Sequence, residues 1–310
     1  MCIPLAGRWV FRRALALCLA LWGAPLCVWA QGNPANLFHD LPGQPVAQRR
    51  LWSNKSTSKY LVRLFWGRFQ IVIKPLETNG DDASHLSILD AHGHTVKQIT
   101  ADFLDEVGLI QITGRSPSEL YVRASPMSNT QSLARTYYFT QSPAVHTLMI
   151  AAGGLDAVHR LAGGHIVITS VNCAPMEWLE DLSHAQDPAV VIVGEMQDGR
   201  FHLNYCRYPQ ASVRVALAYR KELLTKPRMG ATTIGLGEAI GYYANFWTIG
   251  RGAEASAWLR RNLPSERWEN FADDLPEINQ RLKRLSQLIW RNDRRDYTVK
   301  SHDQPWWPDR

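Results

Sequence analysis

Glu177, Asp181 and His184 stand at i, i+4 and i+7 in the stretch PMEWLEDLSHA, so on a helix they share one face. Two carboxyls and an imidazole on one face can donate and accept protons, as hydrolysis by general acid–base catalysis requires. The same residues also suit an ordinary exposed helix, with Pro175 at its first turn and acids where the dipole favours them. No nucleophile motif accompanies them: H-E-x-x-H, G-x-S-x-G and paired C-x-x-C are absent. An envelope hydrolase with its acid/base site on Glu177, Asp181 and His184 is therefore the alternative reading, and the catalytic residues are unknown.

His92 and His94 flank Gly93, with Asp90 upstream, and are the candidate metal ligands. Zinc wants three or four protein ligands, no third histidine or cysteine follows at ligand spacing, and Gly93 marks a hairpin tip. The expectation is no metal. Ser56–Thr57–Ser58–Lys59 fits S-x-x-K, but that serine must open a helix and needs K-T-G and S-D-N partners, which are missing. The run Gly235–Leu236–Gly237–Glu238–Ala239–Ile240–Gly241 suggests a phosphate loop. Its G-x-G-x-x-x-G spacing is one residue too long for the dinucleotide fingerprint, and no strand feeds it. Small side chains at Gly237, Ala239 and Gly241 instead suit close approach of a second helix, and no cofactor is expected.

The elements around these residues begin with a leader. Arg8, Arg12 and Arg13 precede an apolar stretch from Ala14 to Cys27, and Val28–Trp29–Ala30 presents small residues for cleavage. Residues 1–30 read as a signal peptide, which predicts a periplasmic or secreted mature protein from Gln31. Leu26 stands where a lipoprotein signal wants a small residue before Cys27. Losing three arginines takes the formal charge from +6 to +3, too little to imply a nucleic-acid partner. No later segment reads as a membrane span. Cys173 and Cys206 are the cysteines left after cleavage, and an oxidising compartment predicts a disulfide between them. It would close a loop of about 33 residues, for roughly 3–4 kcal/mol in the chain-entropy account.

Residues 31–58 read as an extended lead-in and residues 59–210 as a β-rich domain. Short runs rich in Val, Ile, Tyr and Phe, among them Tyr60–Trp66, Gln70–Leu76, His85–Asp90, Val96–Thr100, Leu120–Ala124 and Ala189–Glu195, alternate apolar with polar. Turn clusters such as Asn79–Gly80–Asp81–Asp82, Gly114–Arg115–Ser116–Pro117 and Asp198–Gly199 separate the runs. After about residue 211 the period changes to that of helices. Leu236–Ile249 and Ala253–Asn262 are split by Gly250–Arg251–Gly252, a short helix opens at Pro264–Ser265, and a last one is predicted from Pro276 to about Asn292. Residues 211–293 thus read as a helical domain and 294–310 as a flexible tail or docked strap. The fold class expected is α+β, an antiparallel meander, sandwich or propeller-like stack followed by helices.

The stretch VGLIQITGRSPSELYVRAS, Val107–Ser125, resembles a blade segment of bacterial FG-GAP-type (integrin-like) β-propeller repeats through Gly114, Ser118–Glu119–Leu120 and Tyr121–Arg123. LSILDAHGHTVKQI, Leu86–Ile99, is similar to a hairpin from such blades. The resemblance implies propeller-like sheet stacking. It implies no calcium site, because Arg115, Ser116 and Pro117 occupy the positions of the acidic ligands. Tyr242–Pro264 loosely resembles a tetratricopeptide-type helix pair, present in one copy. The leading functional expectation is an exported, non-catalytic binding or interaction protein, with an envelope protein or a glycan as partner.

Overall fold

A computed structural model of the chain describes residues 43–54, 61–75, 83–114, 116–126, 134–141, 144–152, 154–172, 188–197, 200–225, 235–285, 289–290 and 293–299. In chain order the first strands are β1 (Gln44–Pro45), β2 (Gln48–Ser53), β3 (Val62–Trp66), β4 (Phe69–Lys74), β5 (Ser84–Leu89), β6 (Thr95–Ala101) and β7 (Phe103–Ile110). Next come β8 (Glu119–Ser125), β9 (Arg135–Thr140), β10 (His146–Ala152), β11 (Gly154–Arg160), β12 (Ile166–Asn172), β13 (Val190–Gln197) and β14 (Arg200–Leu203). The helices α1 (Pro209–Thr225), α2 (Leu236–Thr248), α3 (Gly252–Asn262) and α4 (Ser265–Leu282) follow, then β15 (Ile289–Trp290) and β16 (Asp296–Val299).

These strands form three sheets, ordered β16-β6-β5-β4-β3, β15-β10-β9-β8-β7-β2 and β1-β11-β12-β13-β14. Burial shows how they stack. In the first sheet Phe69, Ile71, Ile73, Leu86, Ile88 and Ile99 alternate with half-buried or exposed neighbours, so one face is covered. That face packs on Leu120, Val122, Tyr137, Phe139 and Ile150 of the second sheet. The second sheet is covered on both sides: Tyr121, Tyr138 and Met149 point the other way, into a core shared with the third sheet and the helices. In β13, Val190, Val191, Ile192 and Val193 are all buried, as a strand between a sheet and a helical layer must be. The chain is an α+β fold, with β-rich N-terminal layers and helices towards the C-terminus.

The helical part shares one continuous core with the third sheet instead of forming a separate body. Gly241 explains part of the fit. A Cβ there would lie 2.5 Å from the Tyr219 ring of α1, so the glycine lets α2 and α1 close on each other. Gly235, at φ 92°, precedes α2, whose residues from Leu236 to Phe246 are all buried. The glycine run is thus a helix packed from its first turn.

Several expected boundaries move. The lead-in 31–58 holds β1 and β2, and β11 pairs over its full length with β12 although no strand was read there. The helix opening at Ser265 does not stop short; it runs through Pro276 to Leu282. Pro276 is exposed, so the carbonyl four residues back can turn to water, and the missing N–H is tolerated. Among the described residues no separate helix follows Leu282: Ile289–Trp290, within the expected last helix, pairs with β10 instead. Within the expected tail, Asp296–Val299 forms a strand parallel to β6, whereas the other described strand pairs are antiparallel.

Side chains hold that returning segment. The Lys97 ammonium, almost fully buried in β6, donates to Asp293 Oδ1 at 2.5 Å and to the Arg294 carbonyl. Asp293 Oδ1 also accepts the Thr147 N–H of β10 at 3.0 Å, and the Thr147 and Tyr297 hydroxyls bond at 2.5 Å. One carboxylate therefore ties the first sheet to the second. Burial alone would raise the Asp293 pKa, but Lys97 and the Thr147 amide outweigh it and hold the carboxyl below its ordinary range.

Candidate functional site

Where the β layers meet the helices, a cavity of about 690 Å³ opens beside β1, the end of β11 and the turn into α1. Its volume is in the range of small-molecule sites, roughly 300–1,000 Å³. Each wall follows from a local feature. Gly43 has φ 102°, and a Cβ on it would sit 2.5 Å from the Arg160 carbonyl, so glycine lets the chain enter β1 against β11. Leu161 and Ala162 lie in the β11–β12 turn, closed by Leu161 N–H to His165 O at 2.8 Å. Tyr208 follows the turn after β14, its N–H bonded to the Tyr205 carbonyl at 3.2 Å.

Two arginines line the cavity, and their charges are handled differently. Arg207 donates to both oxygens of Glu195, at 3.0 and 3.3 Å, while its own side chain is 53% exposed. Glu195 is fully buried on β13 and also accepts from Asn204 Nδ2 and the Tyr208 hydroxyl, each at 3.0 Å. Such a carboxylate is stable in the interior because each oxygen is hydrogen-bonded and a cation is beside it. Burial and the Glu195 carboxylate push the Tyr208 hydroxyl up to about 12, so it stays a donor at neutral pH. Arg160 instead donates to backbone carbonyls, Gln111 O at 2.7 Å and Gly164 O at 3.4 Å, and meets no carboxylate among the described residues.

His159, next to Arg160, is buried on the opposite side of the strand. Burial lowers its pKa more than the Gly43 carbonyl raises it, so the ring is neutral at pH 7. In register, His159, Val167 and Glu195 lie on adjacent strands and share a face. Two strand spacings, about 10 Å, separate the imidazole from the carboxylate, too far for proton exchange between them.

Other candidates fall apart or lie elsewhere. Glu177, Asp181, His184, Cys173 and Ser56–Lys59 lie outside the described residues. Cys206 is exposed in the turn before α1 and forms no disulfide among the described residues. His92 and His94 sit at an exposed hairpin tip with ring centroids 6.0 Å apart. Asp90 Oδ1 accepts both their backbone N–H groups at 2.9 Å, so this carboxylate shapes the turn. No group of three possible metal ligands occurs among the described residues. Glu119 closes its own loop, accepting the N–H groups of Ile112 at 2.8 Å and Thr113 at 3.2 Å. His146 bonds the Ala144 carbonyl at 2.9 Å, away from the cavity.

Arg160, Arg207 and Tyr208 had no motif to announce them. The available signal was position: Arg207–Tyr208 stand where the period changes from strand to helix, and such junctions leave clefts. The chain matches no protein-family model, no curated protein and no solved structure. Among the described residues no helix is long and apolar enough to cross a membrane.

Proposed function

We propose that the mature chain is an exported, non-catalytic binding protein of the cell envelope that engages its partner, an envelope protein or a glycan, through the cavity at the β–helix seam. The observation that carries this reading is the cavity's chemistry. Its lining is largely apolar, with Leu161 and Ala162 beside residues Arg160, Arg207 and Tyr208, and carries no nucleophile and no acid–base pair among the described residues. Glu195, the carboxylate behind it, is spent on Arg207, Tyr208 and Asn204. The leader at residues 1–30 supports the envelope setting.

The test is capture from envelope extract with mature protein, alongside an Ala162→Trp variant that fills the cavity. A partner or glycan retained by the wild type across salt conditions and lost by the variant is the expected result. No retained species would overturn binding as the function, and equal retention by both proteins would remove the cavity from it.

A further inference from the structure

We infer that the outer edge of β3 takes up an extended segment of a partner protein, added as a further strand with an acidic residue beside Arg63. None of the β3 residues lines the seam cavity, so this interface stands independently of the binding read there.

The edge strands are not alike. β16 and β3, β15 and β2, and β1 and β14 end the three sheets. β1 and β15 are two residues long, β14 and β16 four, and β2 is broken by a register shift between Arg50 and Trp52. Shortness and bulges are the usual devices that keep an edge from pairing further. β3 instead runs five residues in unbroken register with β4, from Val62 opposite Ile73 to Trp66 opposite Phe69. No strand among the described residues lies on its other side. An antiparallel strand turns alternate N–H and C=O groups to each side, so this edge offers a ladder to one more strand. The edge is also held in place. Val62 and Leu64 pack on the core beneath, and the buried Trp66 indole donates to the Ser118 carbonyl at 2.7 Å.

Side chains set the partner's chemistry. Leu61, just before β3, and then Arg63 and Phe65 share the outer face, with Phe65 73% and Leu61 42% exposed. Apolar side chains flanking a cation suit a neighbouring strand with apolar side chains flanking an acid. The β3–β4 hairpin adds Arg68 and Lys74, and residues 41–76 contain seven Lys and Arg but no Asp or Glu. A second copy would set this basic edge against itself, and like charges across a strand pair are unfavourable. Charge complementarity therefore favours an acidic segment over self-pairing.

Fluorescence polarisation of the mature protein with the labelled peptide Ser-Val-Val-Glu-Val-Val-Ser tests this. One-to-one binding is expected, weaker for the peptide with Lys in place of Glu. A fully N-methylated form keeps the side chains, loses the ladder donors and should not bind. Phe65→Thr, a strand-forming residue at an exposed position, should weaken binding about fivefold. Arg63→Glu should reverse the order of the Glu and Lys peptides. If that variant lacks a cooperative melt, Arg63→Gln carries the test and should narrow their difference. Ala162→Trp should bind the peptide as wild type does, which separates this interface from the cavity.

Equal binding of the N-methylated peptide would overturn strand addition, and equal binding of the Glu and Lys peptides by wild type would overturn the acidic partner. No peptide bound, with dimers in sedimentation that Phe65→Thr abolishes, would overturn the proposal in favour of a second copy. No peptide bound, with Phe65-dependent binding to phosphatidylglycerol vesicles, would overturn it in favour of a membrane surface. Absence of all three would remove the edge as an interface.

Discussion

Asn245 of α2 completes the edge of β13 at Val191. Its Oδ1 accepts the Val191 N–H at 2.9 Å, and its Nδ2 donates to the Ala189 carbonyl at 2.9 Å and the Gly241 carbonyl at 2.8 Å. Strand β14 covers β13 from Gly194 onward, so a side-chain amide does for residues 189–191 what a neighbouring strand would do. Buried backbone groups need such partners. The Tyr219 hydroxyl of α1 adds a bond to the Ala189 N–H at 2.6 Å. Asn245→Ala should leave these groups unsatisfied and destabilise the fold by about 2–4 kcal/mol. Urea unfolding checks this, and a change under about 0.5 kcal/mol would contradict the assigned role.

Glu195 and Tyr208 should be energetically coupled. Tyr208→Phe loses a hydrogen bond to a charged acceptor and is expected to cost about 1.5–3 kcal/mol. Glu195→Gln keeps the volume but removes the charge facing Arg207, whose exposed side chain can turn to water. In a double-mutant cycle the pair should fall short of additivity by about 1 kcal/mol. Additive losses would mean that the hydroxyl and carboxylate act independently.

Lys97 fastens the returning C-terminal strand. Lys97→Ala removes the donor to Asp293 and the Arg294 carbonyl, together with a cation 5.9 Å from the Tyr297 ring centroid. Hydrogen exchange at Asp296–Val299 should accelerate well before that of β4 or β5. Unchanged protection of this segment would show that main-chain pairing with β6 suffices.

Two groups predict loss of stability on acidification, in different windows. The His159 pKa is depressed by burial, against the pull of the Gly43 carbonyl. The unfolded chain therefore binds a proton that the folded chain refuses, so stability is full above the ordinary value of about 6.5 and declines as pH falls below it. For Asp293, burial raises the pKa, but Lys97 and the Thr147 amide together depress it. Its contribution is present above the ordinary carboxylate value of about 4 and is lost as pH falls through the folded value. Urea midpoints between pH 8 and 3 should show both declines. His159→Gln should flatten the first and Asp293→Asn the second.

Gly241 should not accept a side chain. Gly241→Ala places a Cβ 2.5 Å from the Tyr219 ring, whose hydroxyl bonds Ala189. Thermal unfolding should show a loss of about 1–3 kcal/mol from overpacking. Restoration by Tyr219→Leu would identify the ring as the obstacle, although the Ala189 N–H then loses its acceptor.

Local chemistry was enough to read several elements. The alternation of Phe69, Ile71 and Ile73 marks a strand covered on one face, and Gly250 divides α2 from α3, because both signals lie within a few residues. Strand β2, with Arg49 and Arg50 exposed, carries no such alternation, and β7 has Asp105 and Glu106 at a register shift. Pairing partners distant in the chain make these segments strands. The sequence by itself therefore determined the period of each half, the split helices and the close-packing role of the glycine run. Tertiary structure alone decided that Asp296–Val299 returns to β6 beside a buried Lys97, and that Arg160 and Arg207, 47 positions apart, line one cavity. Local periodicity reports which face of an element is apolar, but which faces and charges meet depends on contacts between segments far apart in the chain.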